Sequence, residues 1–278
     1  MSVQLKEISI VNGSIIKRPS KHCKSPYVAD VMIDNNEVIC HTPALGCCGL
    51  SDNNSDVLLS KIEKKNNKQI CDYKVELSII QEKEQKIIIG INPKLAEEIA
   101  ESALIHNCVA NLSNVITYKR EITIMNSRFD FAGIDSNKKP FIMEIKNVPL
   151  ADYVDVVKKD RKKYDCTNIP FNEKISYFPD GYRKKATDVV SPRALKHIEE
   201  LEKIAQSDVR AILCFVIQRN DVKHFQTSNL DLIYKDAVYK AWKNGVEITT
   251  IQVEWDEFGI CHFIRNNLPI SLKEGEFI

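Results

Sequence analysis

Along residues 26–42 apolar and polar positions alternate: PYVADVMI, a DNN turn, then EVICHT. Alternation with period two around an Asp- and Asn-rich turn predicts a hairpin. SDVLLSKIE, YKVELSIIQ and KIIIGI continue the pattern between polar turns, up to residue 88 or so. Several short strands at this spacing predict a small barrel. The period then lengthens. In NPKLAEEIAESALIHN apolar residues recur at Leu95, Ile99, Ala103 and Leu104, with Asn92 as N-cap and Pro93 at the first helical position. Strands follow in NVITYKREITI and in two arms around DSNKKP. SPRALKHIEELEKIAQ predicts a second helix, capped by Ser191, with Leu195, Ile198, Leu201 and Ile204 on one face. RAILCFVIQ is almost continuously apolar, as in a strand covered on both faces. LDLIYKDAVYKAWKNG predicts a third helix ending at a Gly cap, and VEITTIQVEW a returning strand. That last strand–helix–strand unit is expected to be a right-handed crossover between parallel strands. The second half thus reads as an α/β sheet beginning near residue 89.

The arms around DSNKKP hold an anomaly. SRFDFAGI and PFIMEIKNV carry four full charges, Arg128, Asp130, Glu144 and Lys146, inside apolar runs. If Asp130 faces Glu144, the mirror point is Asn137, and the same register pairs Arg128 with Lys146, Ala132 with Ile142 and Pro140 with Ile134. Side chains alternate across a strand. One face then carries Phe129, Phe131, Phe141, Met143 and Ile145, and the other all four charges. Burial of the apolar face fixes this register, because a one-residue slip would drive the charges inward.

Composition changes little. The 278 residues are 44% hydrophobic and 28% charged, as in a globular chain of one large domain or two. A net charge of +1, from 39 basic and 38 acidic residues, says nothing about partners by itself. Nine scattered cysteines without a CxxC predict a reducing compartment, cytosol or nucleus. Cys40-His41 and Cys47-Cys48 lack the two-residue spacer of a zinc knuckle and read better as small hydrophobes. The N-terminus has no apolar core of a signal peptide, and no run approaches the length of a membrane span.

Two readings of the charged face stand side by side. An antiparallel hairpin with one wet face needs no function for its charges. Against that, Asp opposite Glu is a like-charge pair, unfavourable in a plain sheet, and helices over this sheet would make idle charges costly. Asp, a long gap, then Glu-x-Lys also suits metal-dependent phosphodiester cleavage. Two carboxylates hold a hard divalent cation such as Mg²⁺, while a nearby lysine orients water and offsets developing charge.

SRFDF, MEIKNVPL, YFPD, KHIEEL, FVIQR and GVEI occur here in the order of matching segments in the sugar fermentation stimulation protein family. ADV followed by HTPALG resembles that family's N-terminal signature, so the likeness runs from about residue 25 to 272. The resemblance implies a two-domain chain: an N-terminal OB-type β-barrel over residues 1–88, then a PD-(D/E)XK nuclease-like α/β domain with a mixed central sheet over 89–278. It implies nucleic acid as partner, DNA above all, and Mg²⁺ or Mn²⁺ as cofactor. By position, Asp130 and Glu144 become metal ligands, the Ile145 carbonyl a further one, and Lys146 the residue that positions water. Glu101 is where nuclease-like relatives often add a carboxylate, with Glu97 and Glu98 as neighbours. Arg193, Lys196 and His197 fall in the family's Arg-x-x-Lys-His segment, where a helix N-terminus can meet a phosphate; the alternative is a polar outer face. Asp180 either orients the site or makes a turn.

Two departures stand out. The family's Pro-Asn-Thr-Gly loop is Pro43, Ala44, Leu45, Gly46 here, and extra residues follow EIKNVPL. These include Lys158, Lys159, Arg161, Lys162 and Lys163, then Arg183, Lys184 and Lys185. With Arg128 they can grip a phosphate backbone without sequence specificity, or form only a solvated insertion. Two functions compete: a metal-dependent nuclease, and a non-catalytic DNA-binding or regulatory protein that keeps the fold. An interaction module unrelated to nucleic acid is a third. Nothing in the sequence separates DNA from RNA, or endonuclease from exonuclease.

Overall fold

The structure, a computed structural model, describes residues 3–43, 48–64, 69–181, 187–273 and 275–278. The early alternation builds a six-stranded sheet from β2 (Val11–Lys17), β3 (Val28–Ile33), β4 (Asn36–His41), β5 (Asp56–Lys61), β6 (Tyr73–Glu82) and β7 (Gln85–Gly90). Their order is β4-β3-β2-β5-β6-β7, and β4 also pairs with β6 through Cys40↔Tyr73 and His41↔Lys74. The expected hairpin is β3–β4, where Asp34 and Asn35 take φ of 45° and 62°. Two left-handed residues in a two-residue turn match the twist of the flanking strands. Ile15, Val31, Cys40, Leu59, Val75 and Ile87 fill the interior of this sheet. All cysteines among the described residues are free; Cys47 lies outside them.

Residues 1–88 do not all serve that sheet. β1 (Gln4–Glu7) pairs antiparallel with β16 (Ile260–Arg265), at one edge of a seven-stranded mixed sheet. The other members are β8 (Thr117–Ile124), β9 (Ser127–Ile134), β10 (Pro140–Val148), β13 (Arg210–Ile217) and β15 (Glu247–Trp255), in the order β1-β16-β15-β13-β10-β9-β8. β13 lies parallel to both β10 and β15, as the crossover requires. Its apolar run serves two cores. Ile212, Cys214 and Val216 face α1 (Pro93–Ile105), whereas Ala211, Leu213, Phe215 and Ile217 join α3 (Pro192–Ile204) and α4 (Leu232–Lys243).

Helix starts follow the caps expected from the sequence. Asn92 accepts from Lys94 N at 3.1 Å and Ser191 accepts from Ala194 N; the structure adds Asp231, a cap of α4 that the sequence pattern does not single out. Asn92 also donates to the buried Glu76 of β6 at 2.6 Å, which ties the start of α1 to the six-stranded sheet. Ile198 and Leu201 of α3 are fully buried, each worth about 1.5–3 kcal/mol of apolar burial. No helix among the described residues is long and apolar enough to cross a membrane.

A five-stranded sheet is the main feature absent from the sequence pattern. It runs β11 (Ala151–Asp152), β12 (Lys174–Phe178), β14 (Val222–Thr227), β17 (Ile270–Lys273) and β18 (Glu276–Phe277). Two of these strands hold only two residues, too few to show a period. Between β11 and β12 the extra residues form one helical turn, α2 (Lys158–Arg161).

Candidate metal centre

The hairpin register is the one the charges imply, up to a point. β9 and β10 pair as Pro140↔Ile134, Phe141↔Gly133, Ile142↔Ala132 and Met143↔Phe131. The ladder stops there, before Asp130 and Glu144. On the other side of β9, pairing with β8 passes from Arg120↔Phe131 to Ile122↔Phe129, skipping Glu121 and Asp130. Glu121 has φ 55°, a left-handed backbone that non-glycine residues seldom adopt. This local distortion corrects the expected apolar layer. Phe131, Phe141, Met143 and Ile145 pack toward α1, but Phe129 joins the opposite core, its ring 5.7 Å from that of His197 on α3.

Where the ladder lapses, side chains take over. Ile145 N donates to Asp130 Oδ2 at 2.7 Å. Lys146 Nζ donates to Glu144 Oε1 at 2.6 Å, and His197 Nδ1 contacts the same oxygen. Glu144 is buried, and its other oxygen, Oε2, is buried without a hydrogen-bond partner among the described residues. Burial works to raise the Glu144 pKa, but Lys146 and His197 together hold it below the ordinary value. Asp130 goes the other way. Burial first, then the charge of Glu144, pushes its carboxyl up to about 7, against the Ile145 amide and Lys146.

A hard divalent cation fits this donor set. Two carboxylates converge in a largely buried place, the pKa of one raised first by burial and then by the other's charge, and one oxygen is left without a donor among the described residues. Asp130, Glu144 and Lys146 are thus brought together, with the main chain of Ile145 between them.

Other expected residues have different partners. Glu101 accepts from Arg120 at 2.7 Å and Tyr118 at 3.3 Å, so its carboxylate is already engaged. Its neighbour Glu97 is the α1 carboxylate whose charge acts on Asp130. Arg128 is 59% exposed and pairs with Glu121 at 3.6 Å, not with the buried carboxylates. Lys196 donates to the Asn126 carbonyl in the β8–β9 turn. His197 is buried and cannot offer a surface phosphate contact. Arg193 remains exposed at the start of α3.

Within the extra residues Arg161 is structural, held by Asp152 at 2.7 Å and the Tyr177 hydroxyl at 2.8 Å. Lys163 pairs with Asp160 at 2.7 Å, while Lys158, Lys159 and Lys162 stay exposed. Arg183, Lys184 and Lys185, like Ala44, Leu45 and Gly46, lie outside the described residues. Asp180 accepts from the following Gly181 amide at 2.7 Å, a turn contact.

Sequence pattern alone does not reveal the Glu144 contact of His197, although a signal is present. His197 is spaced three from Ala194 and four from Leu201, on the buried stripe of α3. Tyr234 of α4 carries the same kind of signal, four residues before Val238 and seven before Ala241 on the buried stripe of its helix. It is fully buried, and burial followed by the charge of Glu144 holds its hydroxyl well above the usual range.

Comparison with known proteins bears on the whole chain. A family model described as the sugar fermentation stimulation protein RE domain matches residues 94–158 and 165–259, more than half of the sequence. The sugar fermentation stimulation protein homolog of Pelagibacter ubique is 28% identical over 247 residues, covering 88% of this chain and 90% of that one. The Brucella anthropi homolog is 28% identical over 266 residues, covering 94% and 95%. Among solved structures, Pyrococcus furiosus SfsA in complex with Ca²⁺ superposes with a TM-score of 0.73 at 17% identity, covering 97% of this chain and 100% of that one. At that identity the likeness speaks for the fold. Ordered segments, matched family model and shared fold agree, and the chain belongs to the sugar fermentation stimulation protein family.

Proposed function

We propose that this protein binds nucleic acid, DNA above all, and hydrolyses its phosphodiester bonds with a divalent cation, Mg²⁺ or Mn²⁺. In this reading the six-stranded sheet is an OB-type barrel, and residues 89–278 form a PD-(D/E)XK nuclease-like domain. The carrying observation is the buried, unpartnered Glu144 Oε2 beside Asp130, with Lys146 two residues along the same strand. Calcium in the Pyrococcus furiosus relative supports a hard cation for this fold.

Asp130 and Glu144 would hold the cation through carboxylate oxygens, and the Ile145 carbonyl is the nearby main-chain candidate. When bound, such an ion polarises a phosphate and activates water. The Ile145 amide keeps Asp130 oriented, since its 2.7 Å bond leaves Oδ1 for other partners. Lys146 sits at 11% exposure and would turn its ammonium from Glu144 toward water or a phosphate oxygen as charge develops. Exposed Lys158, Lys159 and Lys162, with Arg128 and Arg193, would contact the backbone outside the centre. The barrel would help to hold the strand.

The test is incubation of purified protein with single- and double-stranded DNA and RNA in Mg²⁺, Mn²⁺ or EDTA. Cleavage is expected with cation, and is expected to vanish in EDTA and in Asp130→Asn and Lys146→Met. Undiminished cleavage by both variants would sink the assigned centre. Salt-sensitive binding without any cleavage would mark a non-catalytic DNA-binding protein.

A further inference from the structure

We infer that His197 is a positioning residue for Glu144, fixing that carboxylate so that Oε2 alone faces the cation. The inference rests on the metal-site reading above. Its basis is the unequal treatment of the two Glu144 oxygens. Oε1 receives both Lys146 Nζ and His197 Nδ1, whereas Oε2 is buried and receives no donor from the described residues. An ionised carboxylate only accepts, so Nδ1 carries the shared proton and the ring orientation is set. Rotating the carboxylate plane away from these two donors would break both contacts at once.

Lys146 alone is a poor clamp. Its long flexible stem must also serve the reacting groups, and it sits on the same strand as Glu144. His197 comes from a different element that is itself anchored. Ser191 caps α3, Ala194, Ile198 and Leu201 bury its inner stripe, and the ring of His197 packs 5.7 Å from that of Phe129. The preceding residue, Lys196, donates to the Asn126 carbonyl at the far end of the β8–β9 hairpin. Two consecutive side chains therefore lock α3 against both hairpins, one at a turn and one at the carboxylate. Partners of this kind orient metal ligands, and their loss typically weakens metal binding about 10- to 100-fold.

Mn²⁺ binding to the full-length protein, followed by calorimetry and by the electron paramagnetic resonance of the free ion, tests the assignment. Glu144→Gln is expected to abolish binding. His197→Phe keeps a buried ring but no donor, and is expected to weaken Mn²⁺ about 10- to 100-fold. His197→Asn places an amide N–H close to where Nδ1 stood, and is expected to recover most of that loss. In cleavage assays His197→Phe should raise the Mn²⁺ concentration for half-maximal rate far more than it lowers the rate at saturation. Folded His197→Phe that binds Mn²⁺ within about twofold of wild type overturns the inference. So does His197→Asn that melts like wild type yet binds no better than His197→Phe. Should His197→Phe not fold, His197→Asn decides: near-wild-type affinity supports the role and a 10-fold or greater loss overturns it. Wild-type protein without Mn²⁺ affinity, or Glu144→Gln that binds unchanged, overturns the metal-site reading and this inference together.

Discussion

Ile145 N donates to Asp130 Oδ2 across 2.7 Å, where the β9–β10 ladder has already ended. A backbone amide that would otherwise pair with a neighbouring strand instead holds a carboxylate. The same residue joins strand structure to candidate chemistry, because its side chain packs in the α1 core.

That relationship separates two substitutions of Asp130. Asn keeps an acceptor for the Ile145 amide and removes a charge repelled by Glu144. Asp130→Asn is therefore expected to melt at or above the wild-type temperature at pH 8 in EDTA, while losing Mn²⁺ binding. Asp130→Ala strands the amide and should lose about 1–3 kcal/mol. Calorimetric melts in EDTA check both.

Lys146→Met removes the ammonium on Glu144 Oε1 but keeps the apolar stem. Cation affinity is expected to stay within a few-fold, since Glu144 is freed rather than removed. Turnover should fall about 100-fold or more if the ammonium offsets charge in the transition state. Parallel measurement of Mn²⁺ affinity and cleavage rate on one protein batch decides it.

Acid stability should depend on Asp221, which is fully buried. Burial alone would raise its pKa, but Arg219 at 2.6 Å and Lys174 at 2.7 Å hold it below the ordinary value. With the folded pKa below the unfolded one, stability is present above about pH 4 and drains away as pH falls through the folded value. Asp221→Asn is expected to flatten that acid limb and to cost about 3–5 kcal/mol at pH 7, by leaving the buried Arg219 without its carboxylate while Lys174 keeps only Glu82 at 2.9 Å. Denaturant titrations between pH 3 and 7 measure both effects.

Gly90 ends β7 against β13, its amide donating to the Gln218 carbonyl at 3.1 Å. A Cβ there would overlap the buried Gln218 side chain, which also accepts from Trp255. Gly90→Ala should therefore destabilise by about 1–3 kcal/mol, seen as a lower urea midpoint at unchanged slope.

Among the extra residues, Lys158, Lys159 and Lys162 are exposed whereas Arg161 is tied to Asp152 and Tyr177. Alanine at the three lysines should weaken binding to duplex DNA alike across sequences. For every phosphate that thereby goes without its lysine, the plot of log affinity against log salt should flatten by about 0.9. Arg161→Ala should instead lower the melting temperature. Fluorescence anisotropy across a salt series, with melts alongside, separates the two.

Local chemistry is legible in the sequence wherever it acts over a few residues. Asn92-Pro93 marks the start of α1, the polar turn after Ile33 marks the β3–β4 hairpin, and the apolar run Ala211–Ile217 announces a strand buried on both faces. The β9–β10 register follows from alternation as far as Met143↔Phe131; alternation gathers Asp130, Glu144 and Lys146 together with Arg128, and the Glu-x-Lys order and the family resemblance narrow that set to the first three. What alternation cannot carry is the break at Glu121 and Asp130, which sends Phe129 to the opposite core. Strands of two residues have no period, and the partner of β1 lies near the other end of the chain. For His197 two local signals conflict: a basic residue near a helix start suggests phosphate, while its place on the stripe of Ala194 and Leu201 means burial. Burial wins.

The placement of β1 has a consequence for how the chain can be cut. Residues 4–7 cover the outer edge of β16, at the far end of the seven-stranded sheet from the β8–β9 hairpin. A fragment starting at residue 89 would leave that edge bare, with a row of open amides and carbonyls ready to recruit another strand. Such a fragment would be prone to self-association even with every charged residue of the metal centre intact. The first few residues act as an edge guard for a sheet whose remaining strands all come after α1.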